Sequence, residues 1–217
     1  MTDNVFNIYY KRFNDWGKFA AGEHYGTPEH LQLVRNVCKE EHKELNKGIT
    51  ENNPTEILDG LCDSFVMLSQ WVSLVPKENL TDCFYNNDVV DLRTYIGVAH
   101  HIINDEVDSQ CLYALSALTR YFDVCPYDIE GALCEVARSN DTKFPLVQEV
   151  KDVYGDNEEE ALKAACDWIE DQGEYKGITC EVREGKVVFK ADTGKIVKWS
   201  GFSKPQLDKY LNRGNEL

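Results

Sequence analysis

The sequence contains no Cys-x-x-Cys pair, no internal repeat, no low-complexity tract and no apolar run long enough to span a bilayer. Without a Cys-x-x-Cys spacing, the eight cysteines at 38, 62, 83, 111, 125, 134, 166 and 180 offer no zinc-ribbon framework. Cys38, Cys62 and Cys134 fall on apolar helical stripes, which predicts reduced, buried thiols in a cytoplasmic protein. The most apolar stretch, Phe65 to Val75, is broken by Ser69, Gln70 and Ser73. It is about half the length a membrane span requires. Met1 to Ala20 carries Asp3, Lys11, Arg12 and Asp15, so it is not patterned as a secretory signal. Positive charge is scarce too. Against 38 Asp and Glu stand 23 Lys and Arg, a formal net charge of −15. That argues against a surface that grips a nucleic-acid backbone through its own cations, but not against phosphate chemistry through a carboxylate-held metal.

What is present is a soluble globular composition, 42% hydrophobic over 217 residues, enough for one sizeable core. Most of the chain reads as helix. Val5, Ile8, Tyr9, Phe13, Trp16 and Phe19 recur with helical spacing over Asn4 to Phe19. Thr27, Pro28 and Glu29 mark the start of a second helix, which is expected to run to about Asn46 and end at Gly48. Asn53-Pro54-Thr55-Glu56 opens a third, with a capping-box arrangement, reaching about Val75. Lys77 to Asn87 reads as a loop. Further helices are expected over Val89–Ile103, Ser109–Phe122 and Tyr127–Arg138. After Lys143 the pattern changes: an acidic helix over Asn157–Gln172, two strands around Glu184-Gly185, then a short extended piece and a closing helix within Gly194–Leu211, with a frayed tail beyond Asn212.

Carboxylates occupy places where apolar side chains belong. On the second helix Leu31, Val34, Val37, Cys38 and Leu45 form a stripe that Glu41 continues, with Glu44 one turn later. On the third, Asp59 and Asp63 form a row beside the stripe Leu58, Leu61, Cys62, Phe65, Leu68 and Val72, with Glu56 one turn earlier. Buried carboxylates must be protonated, paired or metal-bound, and no basic row matches them; His42 and Lys43 are expected on another side. Antiparallel packing through the Gly48–Asn53 turn would bring the acidic rows together as hard oxygen ligands suited to Mg²⁺ or Mn²⁺. Against this stand plainer roles: a solvated acidic face, a capping acid at Glu56, and exposure for Glu40, which points away from Glu41. Adjacent His100 and His101 point apart and read as structural or exposed.

The run Cys38-Lys-Glu40-Glu41-His-Lys-Glu44-Leu45, followed by Ile57-Leu-Asp59-Gly60-Leu-Cys-Asp63-Ser-Phe-Val-Met-Leu, resembles the MazG-like all-α nucleoside triphosphate pyrophosphohydrolases. Glu135-Val-Ala-Arg138-Ser139-Asn140-Asp-Thr-Lys143-Phe144 and Gly194-Lys-Ile-Val-Lys198-Trp-Ser-Gly-Phe-Ser203-Lys-Pro205-Gln-Leu207 are similar to segments of phage-type members. The resemblance covers Asn4–Val75, Ala114–Phe144 and the last two dozen residues. It departs from the Glu-x-x-Asp second motif, because Gly60 stands where the Glu is expected; Asp59 substitutes for it, or Glu56 and Asp59 form the pair.

The resemblance implies a mainly α helical bundle over 1–144, with an insertion at 73–111, and an extension over 145–217 that carries the acidic helix and hairpin. It implies Mg²⁺, or Mn²⁺, held by Glu41, Glu44, Asp59 and Asp63, with Glu40 or Glu44 as the base. Asn140, Lys143 and Arg138 would bind the substrate; the plainer roles are an exposed lysine for Lys143 and pairing with Glu135 for Arg138. The implied reaction is hydrolysis of a nucleoside or deoxynucleoside triphosphate at the α-phosphorus to monophosphate and pyrophosphate. A cytoplasmic homo-oligomer, dimer or tetramer, is implied, located in the host cytoplasm if phage-encoded, without nucleic-acid or membrane partners. Trp16, Phe13 and Phe19 are candidates to stack on the base, or else core residues. A phosphoribosyl-ATP or dUTP-type pyrophosphohydrolase on the same scaffold, and a non-catalytic acidic interaction protein, are the competing readings.

Overall fold

The computed structural model describes residues 3–81 and 90–212. Cys83, most of the Lys77–Asn87 loop and the tail beyond Asn212 lie outside the described residues. The chain is mainly α-helical, with one two-stranded antiparallel sheet near its C-terminus. It divides into two units, residues 1–136 with the segment from 206 onward, and residues 137–205. The terminal segment thus belongs to the first unit, and the division falls inside a helix.

The first unit is built from α1 (Asp3–Ala21), α2 (Pro28–Thr50), α3 (Pro54–Leu74), α4 (Leu92–Asn104), α5 (Cys111–Val124) and the first part of α6 (Ile129–Asp141). Thr27 caps α2 by accepting from the His30 amide at 3.2 Å, and Pro28 occupies the first turn. Asn53 caps α3 by accepting from the Thr55 and Glu56 amides at 3.2 and 3.4 Å. Two expected boundaries move. The second helix passes through Gly48 to Thr50, because this glycine is used for close packing and not as a stop. Among the described residues no closing helix forms; residues Asp208–Tyr210 make one 3₁₀ turn, whose Tyr210 carbonyl accepts from the Asp128 amide instead of a helical partner.

α3 is the central helix, with Leu58, Leu61, Cys62, Phe65, Leu68 and Trp71 all fully buried. Each large side chain removed from water there contributes about 1.5–3 kcal/mol. Phe65 meets Phe6 and Phe13 of α1 edge-on and lies 5.9 Å from the Phe122 ring of α5. Phe13 is therefore a core residue, while Trp16 and Phe19 are half-buried. At the far end of α3 the Trp71 indole donates to Asp108 Oδ1 at 2.7 Å, and Arg35 of α2 grips the same carboxylate with two nitrogens. No helix among the described residues is long and apolar enough to cross a membrane.

The second unit contains the end of α6, then α7 (Val147–Tyr154), α8 (Glu158–Asp171), β1 (Thr179–Arg183) and β2 (Lys186–Lys190). The sequence pattern missed α7, a short helix with three valines set between Pro145 and Gly155. It forms because Val150 is wholly buried and the Glu149 carboxylate accepts from the Leu146 amide at 2.6 Å. The strands pair from Thr179↔Lys190 to Arg183↔Lys186, and Glu184 and Gly185 turn the hairpin with positive φ. β2 is the buried strand because the extended piece after Gly194 pairs with its other edge: the Ala191 amide donates to Lys195 and the Val197 amide to Phe189. Trp199 in that piece donates its indole N–H to the Thr142 carbonyl at 2.8 Å, fixing the turn that ends α6.

Candidate active site

Two glycines set how α2 and α3 lie against each other. A Cβ on Gly48 would stand 3.1 Å from the backbone of Glu56 and Ile57. On Gly60 it would stand 2.8 Å from Leu45 Cβ and 2.9 Å from Leu45 Cα. The helices are therefore antiparallel and in near-backbone contact at both levels. One further turn back along α2 and forward along α3 sets Glu41 level with Asp63 and Ser64.

Burial sorts the carboxylates. Glu41, Asp59 and Asp63 are half-buried, whereas Glu40, Glu44 and Glu56 are exposed. The first three also reach into the helix pair electrostatically. Burial, and then Glu41, push the Cys38 thiol up; burial, and then Asp63 and Asp59, push the Cys62 thiol up. Both thiols are fully buried, as the sequence predicts, although Cys134 is exposed and so departs from that expectation.

The buried stripe of α2 differs from the expected one. It runs His30, Val34, Cys38, His42, Leu45 and Gly48, so His42 lies inside. Only 2% of His42 is exposed, and neither ring nitrogen has a hydrogen-bond partner. Its ring lies 5.8 Å from that of His100 on α4, and burial followed by His100 lowers its pKa to about 4. His100 and His101 are exposed, with His101 Nδ1 2.6 Å from the Asp105 carboxylate one turn on. A neutral imidazole amid apolar residues can be read from sequence only once α4 is known to cross α2.

Among the described residues no three His, Cys, Asp or Glu side chains stand close enough to hold a metal ion by themselves. Mg²⁺ is commonly held by one or two carboxylates, with substrate phosphates and water completing its shell. Glu41, Asp59 and Asp63 offer hard oxygen donors of the type Mg²⁺ takes. They do not fit a resident structural ion.

Arg138, Asn140 and Lys143 belong to the second unit. Asn140 is buried, and its carbonyl accepts from the Lys143 amide at 3.0 Å. The Lys143 ammonium stands 5.9 Å from the centre of the Phe202 ring, and that of Lys198 5.2 Å. Arg138 donates to Ser203 Oγ and to the Lys204 carbonyl, both at 3.2 Å. Residues 138–143 and 198–204 thus meet, around Phe202, a residue the sequence does not single out.

Comparison of the chain with protein-family models, curated proteins and solved structures gives no match.

Proposed function

We propose that this chain is a Mg²⁺-dependent hydrolase that cleaves a nucleoside or deoxynucleoside triphosphate at the α-phosphorus, yielding the monophosphate and pyrophosphate. The observation that carries the reading is the half-burial of Glu41, Asp59 and Asp63 on a helix pair whose spacing Gly48 and Gly60 hold at backbone contact.

One or two of Glu41, Asp59 and Asp63 would hold the ion, with substrate phosphates and water completing its shell. When bound, it neutralises charge on the phosphates and activates water. The chain's own contribution is to position these carboxylates and to accept a proton from the attacking water. For that role Glu44, exposed one turn beyond Glu41, and Glu40 are the two candidates. Binding of the phosphates by Arg138, Asn140 and Lys143 is assigned by resemblance, as is assembly into a homo-oligomer. Mn²⁺ has the same ligand preference and should replace Mg²⁺.

The test is release of pyrophosphate from canonical and deoxynucleoside triphosphates, with dUTP and phosphoribosyl-ATP in the panel. Monophosphate plus pyrophosphate from any of them supports the reaction and ranks the bases. A folded chain that cleaves none overturns it and favours a non-catalytic acidic interaction protein.

A further inference from the structure

Apart from the carboxylates, α2 and α4 bring two imidazoles together. The ring centres of His42 and His100 are 5.8 Å apart, and the rings are tilted by 49°. His42 is 2% exposed, and neither of its nitrogens has a hydrogen-bond partner. Leaving a buried polar group in that state costs free energy. His30, buried on the same helix, is served differently: its Nδ1 accepts from the Gly26 amide at 3.3 Å. His100 is exposed, and its ring lies against the Asn104 amide one turn on, with Nδ1 and Nε2 at 3.1 and 3.3 Å from the amide nitrogen.

We propose that His42 and His100 form a binding site for a borderline divalent transition-metal ion, Zn²⁺ foremost, which ties α2 to α4. An imidazole nitrogen holds Zn²⁺ at about 2.0–2.1 Å, which puts each ring centre about 3 Å from the ion. Two rings on one tetrahedral ion therefore stand roughly 5 Å apart. The observed 5.8 Å is close to that spacing, and His100, at the surface, can close the difference by a small side-chain rotation.

The ion supplies one His42 nitrogen with the partner it lacks. Exposure of His100 gives the ion its route from solvent. Asn104 orients the outer ring: with its carbonyl oxygen turned to His100, it accepts from the ring N–H that does not face the ion. Water fills the remaining positions of the shell, in keeping with the absence, among the described residues, of a third His, Cys, Asp or Glu near enough to join. Imidazole suits Zn²⁺, Ni²⁺ and Cu²⁺, whereas Mg²⁺ takes oxygen ligands. The site is thus chemically separate from Glu41, Asp59 and Asp63 and does not rest on the hydrolase reading.

The experiment titrates the metal-free, reduced full chain with ZnCl₂ in excess Mg²⁺ and follows the ring nitrogens of histidine-labelled protein by ¹⁵N NMR. The chain has five histidines, so His24 and His30 serve as internal references. One nitrogen of His42 and one of His100 should shift together, saturate at one ion per chain and return on addition of a chelator. Zinc held by cysteines moves neither ring. His100→Ala, at an exposed position, should keep the fold by circular dichroism and weaken the His42 response by about tenfold or more. Zinc that leaves either imidazole unmoved, or that shifts His42 equally in wild type and His100→Ala, would overturn the proposal.

Discussion

Gly60 of α3 lies directly against Leu45 of α2, where any side chain would stand 2.8 Å from Leu45 Cβ and 2.9 Å from its Cα. Leu45 is wholly buried and cannot withdraw. Gly60→Ala should therefore force the helices apart and destabilise the chain by about 1–3 kcal/mol. Gly48→Ala, with its nearest atoms at 3.1 Å, should cost less. Urea denaturation of both variants checks the order, and pyrophosphate release from Gly60→Ala should fall more than its folded fraction does.

Replacing the half-buried carboxylates tests the proposed reaction. Glu41→Gln and Asp63→Asn should abolish hydrolysis, by a hundredfold or more on the order of a lost metal ligand, while thermal stability holds or rises as burial of charge is relieved. Glu56→Gln, at an exposed position in the first turn of α3, should leave turnover near wild type. Equal turnover in all three variants would remove the helix pair from the chemistry.

Acid should destabilise the fold through His42. Its folded pKa is lowered from 6.5 to about 4, first by burial and then by His100. Between those values the unfolded chain binds the extra proton, so stability is lost as pH falls from about 6.5 towards 4. The loss amounts to on the order of 2–3 kcal/mol at the acid end. Denaturation across that range should show wild type losing stability relative to His42→Leu as the pH falls. A constant difference between them would refute the assignment.

Asp108 holds together the top of the first unit. Its carboxylate accepts from the Trp71 indole at 2.7 Å and is clasped by Arg35. Asp108→Ala should leave the wholly buried Trp71 with an unsatisfied N–H and cost about 1–3 kcal/mol. Trp71→Phe, which removes the donor as well, should restore part of that loss in the double variant. Denaturation of the four proteins of the cycle measures the coupling.

Lys143 tests the resemblance independently of the carboxylates. If it contacts phosphate, Lys143→Ala should raise KM about tenfold with kcat less affected. A change confined to thermal stability would make the lysine a packing partner of Phe202.

Much of the helical framework is legible in the chain itself. Thr27-Pro28 and Asn53-Pro54 mark helix starts because side-chain oxygens cap amides that no helix can satisfy internally. The hairpin is legible at Glu184-Gly185, because the turn demands positive φ there. Less legible is α7, where burial of Val150 outweighs weak local propensity. The stripe of α2 was misjudged at His42 because an imidazole is polar by composition, yet this one is shielded where α2 meets α4.

By itself the sequence determined the local structure and the inventory of chemistry: capped helices, acids at core-facing spacing, and thiols without a metal framework. These follow from backbone capping and from the cost of placing charge among apolar side chains. Only the tertiary structure decided which acids are half-buried and that His42 is inside. It also decided that Gly48 and Gly60 serve as contact points between helices. Those outcomes depend on which surfaces are brought together across long stretches of chain, and no local propensity encodes that pairing.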